Sequence, residues 1–278
     1  MMIKLAQWLD RKEFLNYRLW EFSLRNLFRF FPYHFLFRIV LMHPLKALRG
    51  IFKYQKLVRE AKGGDLTGTG KLDEIFDQLK TGLIDPSDFV LAPGFCMKPY
   101  DEDKTVSPCP AEHFNHRCLV LEKPSMLLND QQQWQQPCNV CSLGTLAQLS
   151  AKLKANFHIM TSAHDITNDL FLPTIKNRGS RLGIFLLCPY STDAFTWGLA
   201  ICGIDGFLIS FCKGDCLNHE DFTRADIGIK QKQTFIEETI FDHLKTELTN
   251  LAQTKVQNEQ DRVQYIYKNN VYKIKSNT

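Results

Sequence analysis

Apolar positions along the chain change period twice. In "RLWEFSLRNLFRFF" (Arg18 to Phe31), Trp20, Leu24, Leu27, Phe28 and Phe31 recur at i, i+4, i+7, i+8 and i+11. That spacing predicts one face of an amphipathic helix, with Arg18, Arg25 and Arg29 on the other face. Pro32 ends or kinks it. Phe35 to Met42 keeps the apolar character, and "KALRGIFKYQKLVREAK" adds six basic residues. "GGDLTGTGK" (Gly63 to Lys71) then predicts a flexible linker.

From about residue 86 the period becomes that of strands alternating with helices. "DFVLAPGFC" (Asp88 to Cys96) predicts a short strand, and "LGTLAQLSAKLKA" (Leu143 to Ala155) a helix. "NFHIMTSA" predicts a strand, and "DITNDLFLPTIKN" a helix with Asp165 as N-cap. "RLGIFLLC" (Arg181 to Cys188) and "DGFLISFC" (Asp205 to Cys212) are continuous apolar runs, typical of strands buried on both faces. Between them "STDAFTWGLAICG" predicts a helix closed by Gly203. Further on, "TFIEETIFDHLKTELTNLAQ" is an amphipathic helix, and "VQYIYKNNVYKIK" has the turn chemistry of a hairpin.

This order predicts an α/β fold: a small parallel sheet with helices on both faces, Rossmann-like, preceded by the amphipathic helical arm. The expected divisions are a basic arm over 1–62, a linker and short helix over 63–85, a cysteine-rich core over 86–235, and a C-terminal helix and tail over 236–278. At 278 residues and 44% hydrophobic, the chain has enough apolar material for one large core and too much for disorder.

Charge is uneven. Residues 1–62 hold 13 Lys and Arg against 4 Asp and Glu, a net of +9, whereas the remainder holds 21 against 26, a net of −5. A basic arm on an acidic body points to a polyanion. An apolar Trp/Phe/Leu face opposite arginines suits an anionic membrane surface, met through residues 1–60. The same face would serve equally for docking on the protein's own core. Nucleic acid is not expected, because the aromatics share a face with aliphatics instead of interleaving with arginine. No run of about 20 uncharged apolar residues occurs, and charges at residues 10–13 interrupt any secretory h-region. The expected location is cytoplasmic, peripheral on the inner face of a membrane.

All nine cysteines lie between Cys96 and Cys216. An odd count without a secretory signal argues against a disulfide framework. Cys96, Cys188 and Cys212 end expected strands, and Cys216 follows four residues after Cys212. In parallel sheets ligands bind beyond the carboxyl ends of the strands, so one edge would collect these thiols. "PCNVC" (Pro137 to Cys141) sits before a helix. A thioredoxin-type pair would follow a strand, but the stretch before it is polar. A zinc deaminase would need an upstream H-x-E, which is absent. The remaining functional reading is a multi-thiolate metal centre: Cys138 and Cys141 chelate one metal, with Cys188, Cys216, Cys96 and Cys109 as further ligands. All-thiolate ligation suits an iron–sulfur cluster or zinc equally. His113 and His116 would suit zinc, or lie at the surface of a polar loop. Cys118 and Cys202 read as packing. Asp193 and Asp215 are the nearest acid/base candidates, or ordinary turn residues.

Taken in order, "LAPGFCMK", "SPCPAE", "PCNVC", "TSAHD", "FLLCPYSTDAF" and "KGDCLNHEDFTRADIG" resemble an uncharacterised cysteine-rich family, number one hundred and sixteen in the domain-of-unknown-function series. The resemblance covers about residues 86–230. The family's cysteines would fall on Cys96, Cys138, Cys141, Cys188 and Cys216, with Cys109 a further match. It departs where the family has Gly-Gly and this chain has "SAHD", and where Gly-Pro-Cys becomes Gly-Asp-Cys. The resemblance implies a metal or iron–sulfur centre and membrane proximity at the N-terminus, and no defined reaction. Two functions follow as expectations. One is a cysteine-ligated metal protein, redox-active if iron–sulfur, with an unknown electron-transfer partner. The other is a membrane-surface scaffold holding at most a structural zinc.

Overall fold

The computed structural model describes residues 32–61, 66–230, 232–256 and 265–274. The helix expected over Arg18 to Phe31 lies outside them, as does the start of the linker. A π-helical segment Pro32–Leu41 leads into α1 (Pro44–Glu60), followed by α2 (Leu72–Lys80) and β1 (Phe89–Pro93). Then come α3 (Ser142–Lys152), β2 (Asn156–Phe157), β3 (Leu182–Leu187), α4 (Thr192–Cys202), β4 (Asp205–Ser210), α5 (His219–Ala225), α6 (Glu238–Val256), β5 (Tyr265–Lys268) and β6 (Val271–Ile274). The region is α/β, as the alternation predicts.

The six strands form one sheet in the order β4-β3-β1-β2-β6-β5. β1 pairs in parallel with β2 and β3, and β3 with β4, whereas the β5–β6 hairpin joins β2 antiparallel through Phe157 and Tyr272. Alternate side chains serve opposite faces. Phe89, Leu91, Ile184 and Leu186 belong to one cluster with Leu146 of α3 and Leu248 of α6. Val90, Ala92, Phe185 and Leu187 belong to another with Leu199 of α4. Every residue of β1 and β3 is buried, which explains why both read as unbroken apolar runs.

Several expectations hold in detail. Gly203 closes α4 in the left-handed region at φ 71°. Asn269 and Asn270 form the hairpin turn with φ 51° and 57°, the two positive angles a tight primed turn requires. Others need correction. Ser162, not Asp165, caps its helix: Ser162 Oγ accepts from Asp165 N–H at 3.1 Å and donates to Asp165 Oδ2 at 2.8 Å. β2 is two residues long, although His158 and Met160 N–H still bond β1 carbonyls at 3.1 and 2.9 Å. The segment after residue 236 supplies two strands of the sheet, β5 and β6. The linker's described part is also bound. Thr69 N–H bonds Gly206 O at 2.8 Å, and its hydroxyl donates to Ile204 O at 2.6 Å.

The basic segment has two faces. Ala47, Gly50, Tyr54 and Val58 of α1 are buried against α4, at i, i+3, i+7 and i+11. Phe37, Leu41, Met42, Leu45, Leu48 and Phe52 are exposed, with Met42 and Leu45 at 73% and 72%. Among the described residues, no helix is long and apolar enough to cross a membrane.

Gly50 sets how closely α1 and α4 approach, because a β-carbon there would stand 2.6 Å from Ile201 Cα. Gly50→Val should cost ~1–3 kcal/mol in urea unfolding. Phe52→Val on the exposed face should change it by under ~0.5 kcal/mol. Equal effects would show that the close crossing does not matter.

Candidate functional site

The chain runs from β1 to β2 on one side, then crosses back to β3 and β4, so the direction of winding reverses between β1 and β3. A crevice beyond the carboxyl ends of those two strands is the consequence. Cys96 lies in the single turn Phe95–Met97 after β1, and Cys188 directly follows β3. Cys216 comes from the loop after β4. All three face a cavity of about 110 Å³ walled by Phe35, Phe195 and Phe211. Cys216 N–H points to Cys188 Sγ at 3.4 Å, and Lys230 Nζ lies 3.6 Å from Cys216 Sγ.

These thiols act in series. The bond Cys216 gives to Cys188, then burial, push the Cys216 thiol far above its ordinary pKa. The bond from Cys216 favours a Cys188 thiolate. The bond Cys188 gives to Cys96, together with burial, outweighs it and raises Cys188. Cys96, receiving the bond from Cys188, is held below the ordinary thiol value despite burial. Cys96 is therefore the thiol of the three whose anion this arrangement favours most.

A second group forms where a long loop passes the start of α3. Cys109, Cys118, Cys138 and Cys141 line a cavity of about 20 Å³, room for about one water-sized occupant. Cys141 is the N-cap of α3, and Gly144 N–H donates to its Sγ at 3.3 Å. A helix N-terminus favours negative charge there. Burial first, then repulsion from neighbouring cysteines, raises the Cys141 pKa to about 11 and that of Cys118 to about 12, and also raises Cys138. Beside them lies Lys98, 1% exposed, donating to the Glu112 and Asn115 carbonyls at 2.8 and 2.7 Å. Burial lowers the Lys98 pKa, while negative charge on Cys109, Cys118 and Cys141 pulls it back up. Among the described residues, no carboxylate lies within ion-pair distance of it.

The sequence thus points to one centre where the structure has two groups. Cys138, Cys141 and Cys109 meet Cys118, while Cys188, Cys216 and Cys96 meet one another at the strand ends. Cys212, at the end of β4, is exposed, and Cys202 is packed in the core. Asp193 lies in the first turn of α4, and Asp215 borders a surface cleft with Arg224 and Lys230. The surface reading of the histidines fails. His113 packs against Phe95 and Tyr100 with centroids at 5.2 and 5.0 Å, and both its ring nitrogens are buried without partners.

His116 joins a third arrangement. One atom each from His116, His158 and Asp169 lie within 4.8 Å of one another, the one such set of three among the described residues. The thiol groups are wider than that, against a sulfur–sulfur distance of about 3.8 Å around a zinc ion with Zn–S bonds of about 2.3 Å. Sequence reasoning missed Cys118, hidden in the apolar "RCLVLE", and Lys98, an unremarkable residue in "CMKPY". It also missed His158 and Asp169, which meet only through the fold.

Comparison with family models, with curated proteins and with solved structures finds no match.

Burial, with the nearby Lys98 and Lys230 charges, lowers the His113 pKa from 6.5 to about 4. The unfolded chain therefore binds a proton at higher pH than the folded one, and stability falls as pH drops from about 6.5 to 4. His113→Phe should reduce the slope of urea midpoint against pH in that window, leaving the part due to His158, whose pKa burial also lowers to about 4. An unchanged slope would assign the acid sensitivity elsewhere.

Proposed function

We propose that this is a cysteine-ligated metal protein, held at an anionic membrane surface by its basic segment. The observation that carries the metal reading is the buried Lys98 beside Cys109, Cys118, Cys138 and Cys141. A buried ammonium needs a counter-charge. A divalent ion on four thiolates leaves two negative charges, and an iron–sulfur cluster on four thiolates is also anionic. With four neutral thiols, Lys98 would have only two carbonyls and the more distant Glu112 carboxylate to balance it. Thiolates are the right donor type for either group, and the sulfurs, which stand wider apart than a zinc ion needs, would have to close on it during loading. The family resemblance points the same way.

A zinc would tie the loop to α3; an iron–sulfur cluster would add one-electron chemistry. In either case the chain's own residues have definite tasks. Cys141 anchors the centre to the α3 N-terminus, Lys98 balances its charge, and the Cys96–Cys188–Cys216 series supplies a separate set of thiols inside the apolar cavity. That set would carry any thiol redox chemistry.

Anaerobic purification with metal and sulfide analysis tests this. Bound metal should be lost in Cys118→Ser and Cys138→Ser, and kept in Cys96→Ser and Cys202→Ser. Brown protein with iron and sulfide means a redox centre, whereas colourless protein with one zinc means a scaffold. Metal-free protein, or full retention in Cys118→Ser, would sink the four-cysteine reading.

The membrane reading is favoured by the exposed stripe Phe37, Leu41, Leu45, Leu48 and Phe52, on a segment whose other face already packs on the core. Arg49 and Lys56 lie on the same exposed helix. Apolar side chains flanked by basic ones suit a lipid interface. Leu45→Glu combined with Phe52→Glu should release the protein from phosphatidylglycerol-containing vesicles. Unchanged co-sedimentation would remove the stripe from the mechanism.

A further inference from the structure

We propose that His116, His158 and Asp169 form a binding site for one first-row divalent transition ion, independent of the cysteines. The three residues come from distant segments: the loop before α3, the residue after β2, and the helical stretch Thr167–Phe171. Their ligand atoms nevertheless lie within 4.8 Å of one another.

The orientation of both rings is set from behind. His158 Nδ1 lies 2.9 Å from Asn270 O, and His116 Nδ1 lies 2.8 Å from Ile159 O. A carbonyl only accepts, so each Nδ1 carries a proton; His158 Nε2 is left to offer its lone pair, and His116 Nε2, which donates to Thr161 Oγ1 while that hydroxyl donates to Asp165, offers its own once its proton is released. Metal-bound histidines have this arrangement, with the outer nitrogen donating to a backbone carbonyl. His158 is completely buried, yet its Nε2 has no hydrogen-bond partner. Buried polar atoms are seldom left so, and a metal ion would satisfy it. The rings stack at 5.7 Å with 18° between their planes.

Asp169 is held in turn by Asn270, whose Nδ2 donates to Oδ2 at 3.0 Å. The hairpin turn thus fixes two of the three ligands. His116 Nε2 also meets Thr161 Oγ1 at 3.0 Å and Asp165 Oδ2 at 3.4 Å. An ion would take the place of the Thr161 contact, and Thr161 would keep its 2.7 Å bond to Asp165. Two imidazoles and one carboxylate select zinc, iron(II), cobalt(II) or manganese(II) over calcium and magnesium. Three protein ligands leave open positions. Thr161 and Met160 also line the 110 Å³ cavity, so the ion would sit just behind its wall.

Cobalt(II) distinguishes this site from the cysteines, because thiolate ligation adds charge-transfer absorption and nitrogen and oxygen ligation does not. Full-length reduced protein should bind one equivalent with d–d bands alone, beyond any thiolate-bound equivalents. Asp169→Asn and His116→Gln should each weaken that equivalent by ~10-fold or more. The thiolate bands and thermal unfolding should stay as in the parent and report intact folding. The site is refuted if every bound cobalt shows thiolate charge transfer. It is equally refuted if both variants bind the same equivalents with unchanged affinity. Either result leaves the four-cysteine reading standing, since that is read from the thiolate bands.

Discussion

The parallel pairing of β1 with β3 is the constraint on which the rest depends. Five residue pairs join them, from Phe89 with Leu182 to Pro93 with Leu186. Both strands are buried on both faces, so register is fixed by packing as well as by hydrogen bonds. The chain leaves β1 to one side and β3 to the other. Their carboxyl ends are consequently uncovered together, and Cys96 and Cys188 face the same space without any local motif linking them.

Charge compensation then divides the thiols. Each cysteine group has its own lysine: Lys98 within the four, Lys230 beside Cys216. Burial opposes thiolate formation in both. In the strand-end group a chain of thiol hydrogen bonds passes the stabilisation to Cys96. In the other group no such chain stabilises Cys118 or Cys141, and burial holds both thiols well above their ordinary pKa.

What was legible in the sequence was local. Continuous apolar runs gave β1, β3 and β4, a positive-φ glycine closed α4, and paired asparagines turned the hairpin. The hairpin's role as the sheet's far edge was not legible, because it rests on one long-range pair, Phe157 with Tyr272. For the same reason the cysteines could be singled out but not sorted into the two groups that the fold makes of them. Cys118 reads as an apolar residue until the loop folds back, and Lys98 reads as solvated until it is buried. His158 is an ordinary strand-end residue until Asn270, 112 positions later, turns its ring.

Phe35 has a double position. It belongs to the segment that carries the exposed apolar stripe, and its ring also walls the cysteine cavity and packs on Phe171 and Trp197. α1 then lies on α4, with Gly50 against Ile201, and α4 begins four residues after Cys188. The exposed apolar stripe and the wall of the cysteine cavity consequently share one segment. Anything that lifts or tilts that segment would draw Phe35 from the wall and unroof the thiols, so the volume and dryness of the cavity depend on how the N-terminal segment is seated.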